Sequence, residues 1–133
     1  MDDRLEQERK VLDFSVEGSV EAICDVCEKI SGFCEEKGMS MKQVMRLSLS
    51  MEELMTMILK VNDEQGVVFD LRLFAIQDVK GIRVRYNGLE FNPFSDKSNL
   101  QDDEYLGIRM IYDMAESVNY QRIFGMNMVQ ILI

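Results

Sequence analysis

Histidine is missing from this sequence altogether, proline occurs once, and basic residues are heavily outnumbered. Each shortage removes a class of function. Without histidine the chain lacks the commonest general base, the commonest metal ligand and the usual catalytic triads. Fifteen Lys and Arg against 24 Asp and Glu give a net charge of −9, with no basic cluster, which argues against a nucleic-acid partner. The same charge repels a nucleotide unless a metal or local donors offset it. Charge interrupts every apolar run well before the ~18 residues of a membrane-spanning helix. A basic-then-apolar leader is also lacking: the chain opens "MDDRLEQERK", so the cytoplasm is the default expectation.

Cysteines are few: Cys24, Cys27 and Cys34. "CDVC" is formally a C-x-x-C, but zinc wants four ligands and only three thiols are present. A thioredoxin-like site needs its motif where a strand meets a helix, whereas this one lies inside a helical pattern. Buried thiols on a helix are the favoured reading, with no metal expected.

What is present is an ordinary globular composition, 47% hydrophobic and 29% charged over 133 residues, enough for one domain with a real core. Residues 1–9 read as a polar segment or linker and 10–133 as the domain. "KVLDFSVEGS" alternates and then turns, predicting a strand. Ser19 can cap a helix to about Lys37, with Ile23, Val26, Cys27, Ile30 and Cys34 at helical spacing and Gly38 at its end. Ser40 and Gln43 form a capping box for a second helix carrying Val44, Leu47, Met51, Leu54, Ile58 and Val61 on one stripe. The period then drops to 2: "VVFDLRLFA" and "IRVRY", joined by "IQDVKG", predict a β-hairpin. A long polar stretch, "NGLEFNPFSDKSNLQDDE", has the length of a functional lid. A helix is expected from about Tyr105 to Ser117, with Ile111, Met114 and Val118 buried. "VNYQRIF", a turn at "GMN", and "MVQILI" predict a second hairpin. Helices grouped between antiparallel strands imply an α+β two-layer sandwich, a mixed or antiparallel sheet with helices on one face.

Four strings in this order, "MEELMTMILK", "IRVRYNGLEFNP", "YLGIRMI" and "YQRIFGMNMVQILI", resemble the Bergerat-fold (GHKL, histidine-kinase-like) ATPases. Within that family the chain is most similar to the anti-sigma-factor serine kinases, over about Lys10 to Ile133. The resemblance implies a first motif Glu-x-x-x-Asn on a helix, the acid acting as general base and the asparagine holding Mg²⁺. Residues four apart share a helix face, so both can reach one phosphate. Here Glu53 keeps the acid, but Met57 replaces the asparagine, and a thioether is a poor ligand for a hard ion. The family's adenine-binding aspartate, two residues before Gly88, falls on Tyr86. Its glycine-rich phosphate motif keeps Gly107 but puts Tyr105 where a first glycine would be. Its late-strand threonine corresponds to Gln130.

A charged hydrogen bond to adenine contributes about 1.5–3 kcal/mol, and each 1.4 kcal/mol is tenfold in affinity. Losing it together with the metal ligand should weaken binding on the order of 10²–10⁴-fold. The resemblance therefore implies a regulatory interaction domain that has lost its nucleotide, with no cofactor. Its partner would be a sigma factor, an anti-sigma antagonist, a fused signalling or membrane segment, or a second copy as a homodimer. The alternative is an active ATP-dependent serine protein kinase using Mg-ATP, in which oxygens of Asn87, Asn92 or Asp96 replace the lost ligands. Without the resemblance, Glu52 and Glu53 are an ordinary solvated flank, Tyr86 is packing and Gly107 a helix start.

Overall fold

The computed structural model describes residues 11–94 and 106–133. Five strands form one sheet: β1 (Val11–Glu17), β2 (Val68–Ile76), β3 (Val79–Tyr86), β4 (Ser117–Ile123) and β5 (Met126–Leu132), in the order β1-β2-β3-β5-β4. Of the two options for the sheet the antiparallel one holds: every pairing among the described residues is antiparallel. Three rows of side chains cross it on the inner face, because successive strand residues alternate in direction. They are Leu12–Leu73–Ile82–Ile131–Val118, Phe14–Leu71–Val84–Val129–Tyr120 and Val16–Phe69–Tyr86–Asn127–Arg122. The first two rows are apolar apart from the Tyr120 hydroxyl. The third ends in two polar residues, and the candidate site begins there.

Among the described residues three helices cover the inner face: α1 (Val20–Glu36), α2 (Met41–Val61) and α3 (Leu106–Met114). Ser19 caps α1 by accepting a hydrogen bond from the Ala22 N–H at 3.0 Å. The chain leaves α1 through Gly38 at φ +71, a left-handed position that suits glycine. Ser40 and Gln43 form the reciprocal capping box that opens α2, each side chain 3.1 Å from the other's backbone N–H. α2 packs against both other helices. Its Met51, Leu54, Met55 and Ile58 are fully buried with Val26 and Ile30 of α1, Ile82, Val84, Val129 and Ile131 of the sheet, and Ile108 and Ile111 of α3. Val61, expected on the stripe, is only half-buried at the helix end.

Two boundaries differ from the sequence reading. α3 ends at Met114 rather than Ser117, and Val118 enters the core from a strand. The Glu116 N–H bonds the Leu132 carbonyl at 2.7 Å, so sheet pairing takes the chain before another helical turn forms. The turn of the second hairpin is Phe124–Gly125, at φ +51 and +77, so Met126 and Asn127 belong to β5 rather than to the turn. The thiols also divide. Cys34 is buried, and Cys27 is half-buried with its Sγ donating to the Ser48 carbonyl at 3.6 Å. Cys24 is exposed, contrary to the reading that all three are covered. No described helix is long and apolar enough to cross a membrane.

Candidate functional site

The segment that follows β3 is stitched down by side-chain hydrogen bonds to the start of β2 and to the end of α2. Asn87 accepts a hydrogen bond from the Val68 N–H at 2.7 Å and donates to the Gly66 carbonyl at 2.8 Å. Gly88 has φ +93, and a Cβ there would lie 2.4 Å from Asn62 Oδ1, so only glycine fits. The same Asn62 oxygen accepts from the Leu89 N–H at 3.0 Å, while its amide nitrogen donates to the Ile58 carbonyl at 2.9 Å. The end of α2 is thereby tied to the chain beyond β3. Asn92 Oδ1 accepts from the Phe94 N–H at 2.9 Å, a local Asx-type turn. Both asparagines thus have their side-chain oxygens engaged by backbone. Asp96 lies outside the described residues.

Tyr86 is fully buried under this segment. Its ring packs on Phe69 with centroids 6.3 Å apart, and its hydroxyl donates to the Phe91 carbonyl at 2.7 Å. Burial pushes the phenol well above its ordinary pKa, with Tyr120 adding to the effect and Arg122 opposing it. The group is held neutral and acts as a hydrogen-bond donor into the fold.

Beside it sits a residue the sequence reading passed over. Asn127 is fully buried, and its Oδ1 accepts from the Phe91 N–H at 3.1 Å, Tyr120 hydroxyl at 2.5 Å and Arg122 Nη1 at 3.0 Å. Its amide nitrogen donates to the carbonyls of Leu89 at 3.0 Å and Tyr86 at 3.3 Å. One side chain therefore gathers β3, β4, β5 and the segment after β3. The signal was available: within "MNMVQILI" it stands at the first of the inward positions Asn127, Val129 and Ile131, where a polar residue must find partners.

Further back along α2, past its midpoint, Glu53 faces the start of α3. A Cβ on Gly107 would lie 2.2 Å from Glu53 Cβ, 2.3 Å from Cγ and 3.0 Å from Cδ. The glycine thus allows the acid's stem to lie directly on the first turn of α3, and an exposed carboxylate near a helix N-terminus is electrostatically favoured. Met57, one turn further along α2, is half-buried and packs on the core. From Glu53 to Asn62 the helix rises about 14 Å, and the two glycine contacts, Gly107 and Gly88, bracket that span. Tyr105 lies outside the described residues.

Gln130 does not join this group. It points to the outer face of the sheet, where its Oε1 accepts from Arg83 Nε at 3.2 Å and Nη2 at 3.0 Å. The β5 residue that sits beside Tyr86 is Asn127, three positions earlier. An odd offset along a strand moves a side chain to the opposite face, so assigning the late-strand position by order alone chose the wrong side. Among the described residues, no group of three or more Cys, Asp or Glu is placed to hold a metal ion. No family model matches the chain, and no curated protein matches it.

Proposed function

We propose that the chain is a regulatory protein–protein interaction domain on a Bergerat-type frame whose nucleotide site has been closed by its own side chains. The observation that carries this reading is Tyr86. At the position where the resemblance asks for an adenine-binding carboxylate, a fully buried phenol donates its proton to the Phe91 carbonyl. Two further features support it. The Glu53 stem covers the first turn of α3 at Gly107, the backbone where a phosphate would be cradled. Met57 supplies thioether and methylene where an oxygen ligand for Mg²⁺ would stand. Regulation by contact needs none of these groups to react. The partners implied by the resemblance are a sigma factor, an anti-sigma antagonist, a fused signalling or membrane segment, or a second copy, in a cytoplasmic setting.

Isothermal titration with Mg-ATP tests the reading: binding weaker than about 1 mM is expected, and a micromolar Kd defeats it. One observation favours the second reading, a working serine protein kinase: Glu53 is exposed beside Gly107 and remains accessible to an incoming hydroxyl. Incubation with labelled ATP and candidate antagonist proteins decides that point, since phosphate transfer lost on Glu53→Gln would establish the kinase.

A further inference from the structure

The outer face of the sheet takes no part in the site above. At the end where β2 turns into β3, Gly81 has no room for a Cβ, which would run into the Ile131 carbonyl of β5. Phe74 and Leu132 lean over the glycine, to within 3.0 and 3.1 Å of where a Cβ would stand. Next to them is a cavity of about 420 Å³ whose apolar lining includes Val11, Phe74, Ile76, Val79 and Leu132. Ile76 and Val79 remain 42% and 51% exposed, so the hollow is open to solvent along one side.

Its charged lining is of one sign: Arg72 and Arg83, with no carboxylate. Arg72 is already neutralised by Asp13, through Nε at 2.7 Å and Nη2 at 3.1 Å. Arg83 is not. Both its Nε and its Nη2 converge on the single neutral oxygen of Gln130, which orients the guanidinium fork but leaves its charge uncompensated. On a chain of net charge −9, an apolar hollow walled by an unneutralised arginine is complementary to an apolar group carrying an acid. A small ligand needs about 70–90% of its surface covered, which half-exposed walls do not provide. A protein segment closes the open side with its own bulk.

We propose that this hollow docks a segment of a protein partner in which an aliphatic or aromatic side chain stands beside an aspartate or glutamate. The apolar side chain fills the cavity between Phe74 and Val79. The carboxylate meets the Nη1–Nη2 edge of the Arg83 guanidinium, the edge beside the one held by Gln130, in the bidentate geometry in which arginine binds acids most specifically. The assignment rests on the reading that the domain works through protein contacts, and it names the surface and the chemistry of the contact.

Phage-displayed random 12-residue peptides selected on the immobilised full chain test it, followed by fluorescence anisotropy with the enriched peptides. The expected ligands place Asp or Glu next to Leu, Ile or Phe. They lose at least tenfold in affinity on Arg83→Glu and on Val79→Asp, lose less on Arg83→Lys, and are unaffected by Lys42→Ala on the helical side. Circular dichroism of each variant verifies that it is folded. Failure to enrich any peptide, enrichment of basic peptides, or affinities unchanged in both outer-face variants would overturn the proposal. So would self-association that Arg83→Glu abolishes in sedimentation, because a second copy would then be the occupant. Mg-ATP titration of the same protein reads the inner side independently. Nucleotide binding defeats the closed-site reading, whereas absent peptides without nucleotide binding defeat only this one.

Discussion

Replacing Asn127 should be among the most damaging single changes in the chain. Its side chain serves five hydrogen-bonding partners from a fully buried position. In Asn127→Ala, the Tyr120 hydroxyl and the Arg122 guanidinium, both half-buried, can turn to water. The half-buried Phe91 N–H and the carbonyl of fully buried Tyr86 lose their side-chain partner where solvent reaches less easily. Each buried group left unsatisfied costs about 1–3 kcal/mol, and the small cavity adds to that. A total of about 3–5 kcal/mol follows. Asn127→Leu separates the two contributions: it keeps the branched outline of the side chain, so no cavity opens, and it restores no hydrogen bond; swaps of similar shape between apolar residues cost below about 1.5 kcal/mol. Urea denaturation followed by circular dichroism should show the midpoint falling for both variants at unchanged slope. Hydrogen exchange at Phe91 should accelerate in both. If Asn127→Leu costs less than about 1.5 kcal/mol, the claim that this amide organises the segment after β3 is refuted.

Four further outcomes can be measured. Gly88→Ala and Gly107→Ala should each destabilise by about 2 kcal/mol or more: the first forces a Cβ to 2.4 Å from Asn62 Oδ1 at φ +93, the second to 2.2 Å from Glu53 Cβ. Chemical denaturation checks this, and a helix-propensity gain at Gly107→Ala would show that α2 and α3 separate freely. Phe124→Asn should stabilise by about 0.5–1 kcal/mol, because both turn residues have positive φ and Asn-Gly suits that turn better than a fully exposed phenylalanine. Calorimetry would read it as a higher Tm. Burial raises the Cys34 thiol from 9.0 to about 11, so the native state keeps it protonated where the unfolded chain ionises it. The stability this confers is intact below pH 9 and lost as pH climbs through about 11. A denaturation midpoint measured across that window should fall, and less so in Cys34→Val. Thiol reagents should label Cys24 in the native protein and Cys34 only on unfolding.

The candidate site was legible in parts. Glu53, Gly107 and Gly88 stood out in the sequence because the short strings around them resemble a family's motifs. The structure gives each glycine a definite neighbour, Glu53 for one and Asn62 for the other. Asn127 was missed because "GMN" has the composition of a turn. Only the pairing of Asn127 with Tyr86 and Arg122 reveals that the turn is one step earlier and that the amide faces inward. Gln130 was misplaced for the same reason, since sequence order fixes neither register nor face.

Local chemistry in the chain by itself set the elements: the Ser19 and Ser40 caps, the 3.6-residue stripe of α2, and the period-2 runs of β2 and β3. These depend on neighbours within four residues, whose energetics a short window contains. Tertiary structure alone decided which face each strand residue joins, where α3 yields to β4, and that Arg83 meets Gln130 while Tyr86 meets Phe91. Those outcomes depend on pairings between residues 5 to 47 positions apart. Which partner wins there is settled by burial and hydrogen-bond satisfaction over the whole fold, and no single segment encodes that.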